Sequence, residues 1–259
     1  MMRFLSRNQW LNWIEALAPV IAACVMAAMV SGQHISASSV AGLLIQLGSD
    51  DSAVRSDAFT HLRSDPAALR DPKVKTALVR LLDRENQEPV EGEDEDFAEY
   101  TSWLADTVAK IVNWENPHEV CILADSIDLP DELGEHARVA VPCLLRRWKS
   151  GRNRYAPGPD RSRGSVVAIL VQASAHGKGQ LDASTKQTVR QIILKALRTS
   201  DENLKIPTIK ALERFGGADM IPALKVVAET DPDGAEGYAI RKWAAEAISA
   251  IQKRALAPN

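Results

Sequence analysis

From Ser38 onward, apolar residues recur at intervals of three and four in segments of about ten to fifteen residues, and Asp, Pro, Gly and Ser separate the segments. This is the period of short amphipathic helices. Val40, Leu43, Leu44 and Leu47 share one helical face; so do Val74, Ala77, Leu78, Leu81 and Leu82, and later Val189, Ile192, Ile193, Ala196 and Leu197. A helix of three turns is marginal in water, and each buried Leu or Ile contributes only about 1.5–3 kcal/mol. The stripes must therefore be covered by neighbouring helices, and the expected fold class is all-α.

The residues between the stripes announce helix starts. Asp50 and Asp51 precede Val54, Asp71-Pro72 precedes Val74, Asp182 and Ser184 precede Val189, and Ser200 and Asp201 precede Leu204. Each supplies a side-chain oxygen for the free amides of a first helical turn. Gly216-Gly217 follows a helix predicted to end near Phe215, and Gly177-Lys178-Gly179 precedes the next start.

Three segments share one pattern: aliphatic, basic, two variable, small, three variable, aliphatic. They are Val54-Arg55 with Ala58 and Leu62, Leu204-Lys205 with Thr208 and Leu212, and Ile240-Arg241 with Ala244 and Ile248. Each follows a first-helix candidate: Leu43 to Leu47, Ile192 to Leu197, and Ile221, Leu224 and Val227 after the start at Pro222. The pattern resembles the second helix of a HEAT repeat, in the armadillo-type class. There a basic residue follows an aliphatic one, and a small residue lets helices cross closely. Lys205 and Arg241 lie 36 residues apart, a spacing compatible with a helix-pair repeat. The resemblance implies an α-solenoid of stacked antiparallel helix pairs over residues 38–259, with degenerate repeats between about 84 and 180 and loops near 86–95 and 150–163. About half of the chain carries the pattern.

The first 37 residues differ. Arg3 and Arg7 precede an uncharged run from Leu17 to Val30, and counting back to Trp10 gives about twenty residues interrupted by Asn12 and Glu15. An uncleaved anchor, a cleaved signal peptide and a buried N-terminal helix all fit. In the first two, the positive-inside bias puts the repeat domain outside the cytoplasm, with residues 10–30 contacting the membrane; in the third it is cytoplasmic. Ile21-Ala22-Ala23-Cys24 resembles the lipobox of bacterial lipoproteins, although Val25 to Val30 stays apolar where that family has a polar tether.

The net charge of -3 removes the global positive field that holds nucleic acid by counterion release, so no nucleic-acid partner is expected. Locally, charge is segregated. Glu88, Glu91, Glu93, Asp94, Glu95, Asp96 and Glu99 form an acidic block leading into a helix whose apolar face begins at Phe97. Further on, Arg146, Arg147, Lys149, Arg152, Arg154, Arg161 and Arg163 bracket Trp148, Tyr155 and a Pro-Gly-Pro turn. Arg146, Arg147, Trp148, Arg152, Arg154, Tyr155, Arg161 and Arg163 are the candidate partner-binding residues, because guanidinium and aromatic groups together suit an acidic partner, a phosphate or a lipid headgroup. A solvated loop is the plainer alternative.

Residues for chemistry are scarce. The five histidines lack HExxH or cysteine-paired spacing, and Gly177-Lys178-Gly179 lacks the rest of a phosphate loop, so neither a metal nor a cofactor is expected. No GxSxG elbow is present. Cys24, Cys121 and Cys143 are too few and too widely spaced to predict a disulfide framework. Cys121 and Cys143 sit among aliphatic residues, as small core side chains do. The expected function is a non-enzymatic scaffold that binds another protein through an extended surface. The HEAT resemblance also implies one alternative, a lyase of the kind that attaches or isomerises bilins; a third class is a membrane-tethered cell-envelope protein with a structural role.

Overall fold

A computed structural model describes residues 35–87, 95–126, 129–151, 161–176, 181–231 and 239–256. Apart from its last residues, the expected N-terminal signal or anchor segment lies outside that set. Among the described residues the chain is all helix and turn, with no strand. In chain order, α1 is Ile35–Gln46, α2 Ser52–Arg63, α3 Pro72–Glu85, α4 Glu95–Ile111, α5 Pro117–Ala124 and α6 Glu132–Glu135. They are followed by α7 Ala137–Ser150, α8 Arg161–His176, α9 Ala183–Arg198, α10 Glu202–Phe215, α11 Ile221–Thr230 and α12 Ala239–Leu256. No helix among the described residues is long and apolar enough to cross a membrane.

The predicted caps are in place. Asp51, Asp71, Asp182 and Asp201 accept from the amides of Ala53, Lys73, Thr185 and Asn203 at 2.7–3.0 Å, and Asn116 does the same for His118 at 3.1 Å. Pro72, Pro117 and Pro222 occupy first-turn positions, where the missing N–H has no intrahelical partner to lose.

The chain divides into two compact units, Met1–Ala68 and Leu69–Asn259. In the first, α1 packs on α2, and Ala58, Phe59 and Leu62 are wholly buried. In the second, helices pack on the next helix in sequence and on the next but one, a pattern compatible with a helical solenoid. α3 and α4 run antiparallel, since the Tyr100 hydroxyl near the start of α4 donates to Glu85 at the end of α3 (3.1 Å). α8, α10 and α12 stack side by side in one direction. Gly164 meets Asn203 and His176 meets Phe215, the same 39-residue offset at both ends of the α8–α10 contact. The close approach depends on Gly164, because a β-carbon there would lie 2.3 Å from the Asn203 carbonyl oxygen and 2.9 Å from the Pro207 ring. The small residues of the second-helix pattern, Ala58, Thr208 and Ala244, are all fully buried.

The segment of degenerate repeats has a different connection. Trp114 stacks on His136, Cys121 is bonded to Cys143, and Asp125 faces Arg146, so both chains advance together. α5 and α7 therefore lie parallel at an offset of about 22 residues. The chain returns between them through α6, which packs on α8 and is tied to it where Gln172 Nε2 donates to the Asp131 carbonyl (2.9 Å). Antiparallel pairing, expected throughout, is here replaced by a parallel pair, because a return segment containing its own short helix separates the two.

Cations close helix ends, Arg55 and Lys205 from buried positions and Arg254 from an exposed one. Arg55 donates from Nη1 to the carbonyls of Ser49 (3.1 Å) and Asp50 (2.9 Å) beyond α1. Arg254 donates to the carbonyls of Leu212 (3.3 Å), Glu213 and Gly216 (3.0 Å) at the end of α10. Lys205 pairs instead with Asp231, the C-cap of α11, each side chain only 7% exposed. At two of the three basic positions of the second-helix pattern, Arg55 and Lys205, the buried cation thus satisfies carbonyls or a carboxylate from within; Arg241 is exposed.

Candidate partner-binding site

α7 carries the first half of the basic and aromatic cluster. Ala137, Ala140, Val141, Leu144 and Arg147 form its buried stripe, and Arg138, Pro142, Arg146 and Lys149 its exposed one. Arg147 continues the apolar row by two turns from Ala140, so its stem runs into the core and its guanidinium emerges at the end of α5. There Nη1 donates to the Ala124 carbonyl at 2.7 Å and to the Ser126 carbonyl. The residue is 8% exposed. A cation at that point also complements the partial negative charge of a helix C-terminus. Arg147, expected on the partner-binding surface, is turned inward because the helical period assigns it to the core stripe.

Arg146 and Lys149 do reach the surface. The Arg146 guanidinium lies 3.7 Å from the Asp125 carboxylate, with the Arg146 side chain 62% exposed. Screening by water limits such a pair to about 0–1 kcal/mol. Trp148 is half-buried, and the exposed Arg163 of α8 holds its guanidinium carbon 5.5 Å from the indole centroid. Gly151 makes this approach possible. It ends α7 in the left-handed conformation (φ 60°), and a β-carbon on it would stand 2.8 Å from an Arg163 Nη. The cluster brought together by the fold is therefore Arg146, Trp148, Lys149 and Arg163. Arg152, Arg154 and Tyr155 lie outside the described residues, as does the side chain of Arg161. So does most of the acidic block, from Glu88 to Asp94.

Behind the cluster, one turn before Arg147, Cys143 is joined to Cys121 by a disulfide with a Cα–Cα distance of 5.1 Å. The two cysteines were expected as separate core thiols. Aliphatic neighbours are a correct sign of burial for Cys143, which is 4% exposed, but not for Cys121, which is partly exposed, and they carry no sign of pairing, because the parallel register that brings α5 and α7 side by side is a property of the α6 return. In principle, the bond could have been suspected from two cysteines that each sit in an apolar helical stripe with a turn-forming segment between them.

Elsewhere, a cleft of about 570 Å³ opens between α8, α9, α10 and α12. Two of its three rim cations are engaged, Arg254 as the cap of α10 and Arg190 at 3.5 Å from Asp219; the third is Lys186. Among the described residues no three or more His, Cys, Asp or Glu side chains are grouped to hold a metal ion. The described residues define an all-α protein with a basic and aromatic cluster at the end of α7. Compared with family models, with curated proteins and with solved structures, the chain matches none.

Proposed function

We propose that this chain is a non-enzymatic interaction scaffold of HEAT-like helix pairs that binds an acidic protein partner through Arg146, Trp148, Lys149 and Arg163. The observation that carries the reading is the sorting of α7: Arg147 is drawn into the core while its neighbours on both sides stay outside, with Arg163 over Trp148. An aromatic ring under a guanidinium offers both apolar area and a directed positive charge, the combination enriched where binding energy is concentrated. The parallel stacking of α8, α10 and α12 supports the HEAT-like assignment. The domain is exported or tethered by residues 10–30, a reading supported by the Cys121–Cys143 disulfide, since such bonds persist in oxidising compartments.

Reversing three charges (Arg146→Glu, Lys149→Glu, Arg163→Glu) together with Trp148→Ala should abolish a purified complex while leaving the denaturation midpoint nearly unchanged. An intact complex removes the surface from consideration. Protease accessibility of a C-terminal tag in fractionated cells tests the topology: protection that persists after the outer boundary is opened would place the domain in the cytoplasm.

A further inference from the structure

We propose that Cys121–Cys143 is a thiol–disulfide exchange site, attacked at Cys121, whose opening releases the α5–α6 segment while the later helices stay folded. The segment is poorly self-supporting. α5 has 8 residues and α6 has 4, both well below the length at which a helix holds in water. Its attachments to α7 include the Trp114–His136 stack at 4.0 Å, the Glu115–Arg138 pair at 4.0 Å, the disulfide, the Asp125–Arg146 pair at 3.7 Å, and Arg147 on the carbonyls of Ala124 and Ser126; single hydrogen bonds from Asn86 and Gln172 tie it to the end of α3 and to α8. The Glu115–Arg138 pair is exposed on both sides and weak. The disulfide is the covalent member and sits midway, closing a loop over a separation of 22 residues. Held shut, it keeps Val120, Leu123 and Leu133 fully buried.

The two sulfurs are not equally open. Cys143 is 4% exposed, whereas Cys121 is partly exposed, so Cys121 is the residue that a reductant meets first. The co-reactant is a dithiol, small or protein-borne. Its thiolate bonds to Cys121 Sγ, the S–S bond breaks, and Cys143 leaves as a thiolate that takes up a proton. The second thiol of the reductant then attacks the mixed disulfide, carries away the new disulfide and leaves Cys121 as a thiol. Two electrons and two protons have passed to the protein.

Loop closure of this length corresponds to an opening equilibrium shifted on the order of 100-fold. Hydrogen exchange on the full chain, with and without dithiothreitol, tests this. Peptides within residues 113–136 should exchange on the order of 100-fold faster after reduction, with α9 to α12 unchanged, and the Cys121→Ser/Cys143→Ser double variant should match the reduced pattern and ignore the reductant. A monothiol form of a dithiol reductant protein should be trapped on Cys121. Unchanged exchange in 113–136, loss of protection throughout the unit, or an adduct on Cys143 each overturns the proposal. None of these readouts involves a partner, so the scaffold reading stands or falls separately.

Discussion

Replacing Arg147 by Ala separates what the residue looks like in sequence from what it does in the fold. In the structure its Nη1 holds the carbonyls of Ala124 and Ser126, both on buried residues at the end of α5. Hydrogen bonds to a charged donor contribute about 1.5–3 kcal/mol each, and a buried acceptor left without its donor adds a desolvation penalty. Partial entry of water at the loop offsets some of this, so the expected loss is about 3 kcal/mol. In a unit of this size that lowers the melting temperature by roughly 6–12 °C. Arg147→Met keeps much of the buried stem and isolates the polar part, and it should recover only a fraction of the loss. Arg146→Ala, one residue away and exposed, should stay within about 0.5 kcal/mol of the parent. Urea unfolding followed by helical circular dichroism measures all three. If Arg147→Ala and Arg146→Ala have the same midpoint, or if Arg147→Ala is the one that loses a partner at full stability, the inward assignment of Arg147 is wrong.

Gly164→Ala should destabilise the second unit by about 1–3 kcal/mol, because the new β-carbon meets the Asn203 backbone carbonyl, which can yield only if α8 and α10 separate. Gly134→Ala should be milder, since the clash there is with the Gln172 side chain and not with backbone, and moving it gives up the single hydrogen bond to the Asp131 carbonyl; equal effects would refute the crossing argument. The Asp182 carboxyl is held below its ordinary value of 3.8, first by the Thr185 hydroxyl and then by the Thr185 amide. A depressed folded value means that its cap stabilises α9 at neutral pH, and that the contribution is lost as pH falls below the ordinary value and through the lowered one. An NMR titration should place the Asp182 midpoint below 3.8 and show it rising toward that value in Thr185→Val; a midpoint that does not move excludes the hydroxyl as the main cause.

Much of the local structure was written in short-range chemistry. Asp51, Asp71, Asp182 and Asp201 announce their helices because a carboxylate at an N-cap acts on amides two or three residues away, and no other part of the chain has to be known. Leu78, Leu82, Val189 and Ile193 declare their inner faces for the same reason, since the helical period alone assigns a side. Even the inward turn of Arg147 was present in that period, as the continuation of Ala140 and Leu144, but its charge drew attention to the surface. The basic and aromatic cluster was legible as composition and only partly as a site.

Which faces meet is a different question, and tertiary structure alone decided it. The partner of Cys121 depends on α6 reversing the chain so that α5 and α7 lie parallel, and nothing within either helix encodes that register. Gly164 reads locally as a poor helix residue and becomes a contact only when Asn203 arrives from 39 positions away. Lys205 likewise reads as a basic residue of its own helix, yet its partner Asp231 belongs to the end of the next one. Local sequence sets helix ends and apolar sides because those depend on neighbours three or four residues apart; pairings between helices depend on how the connecting segments direct the chain, a sum over many weak contacts that no single stretch of sequence contains.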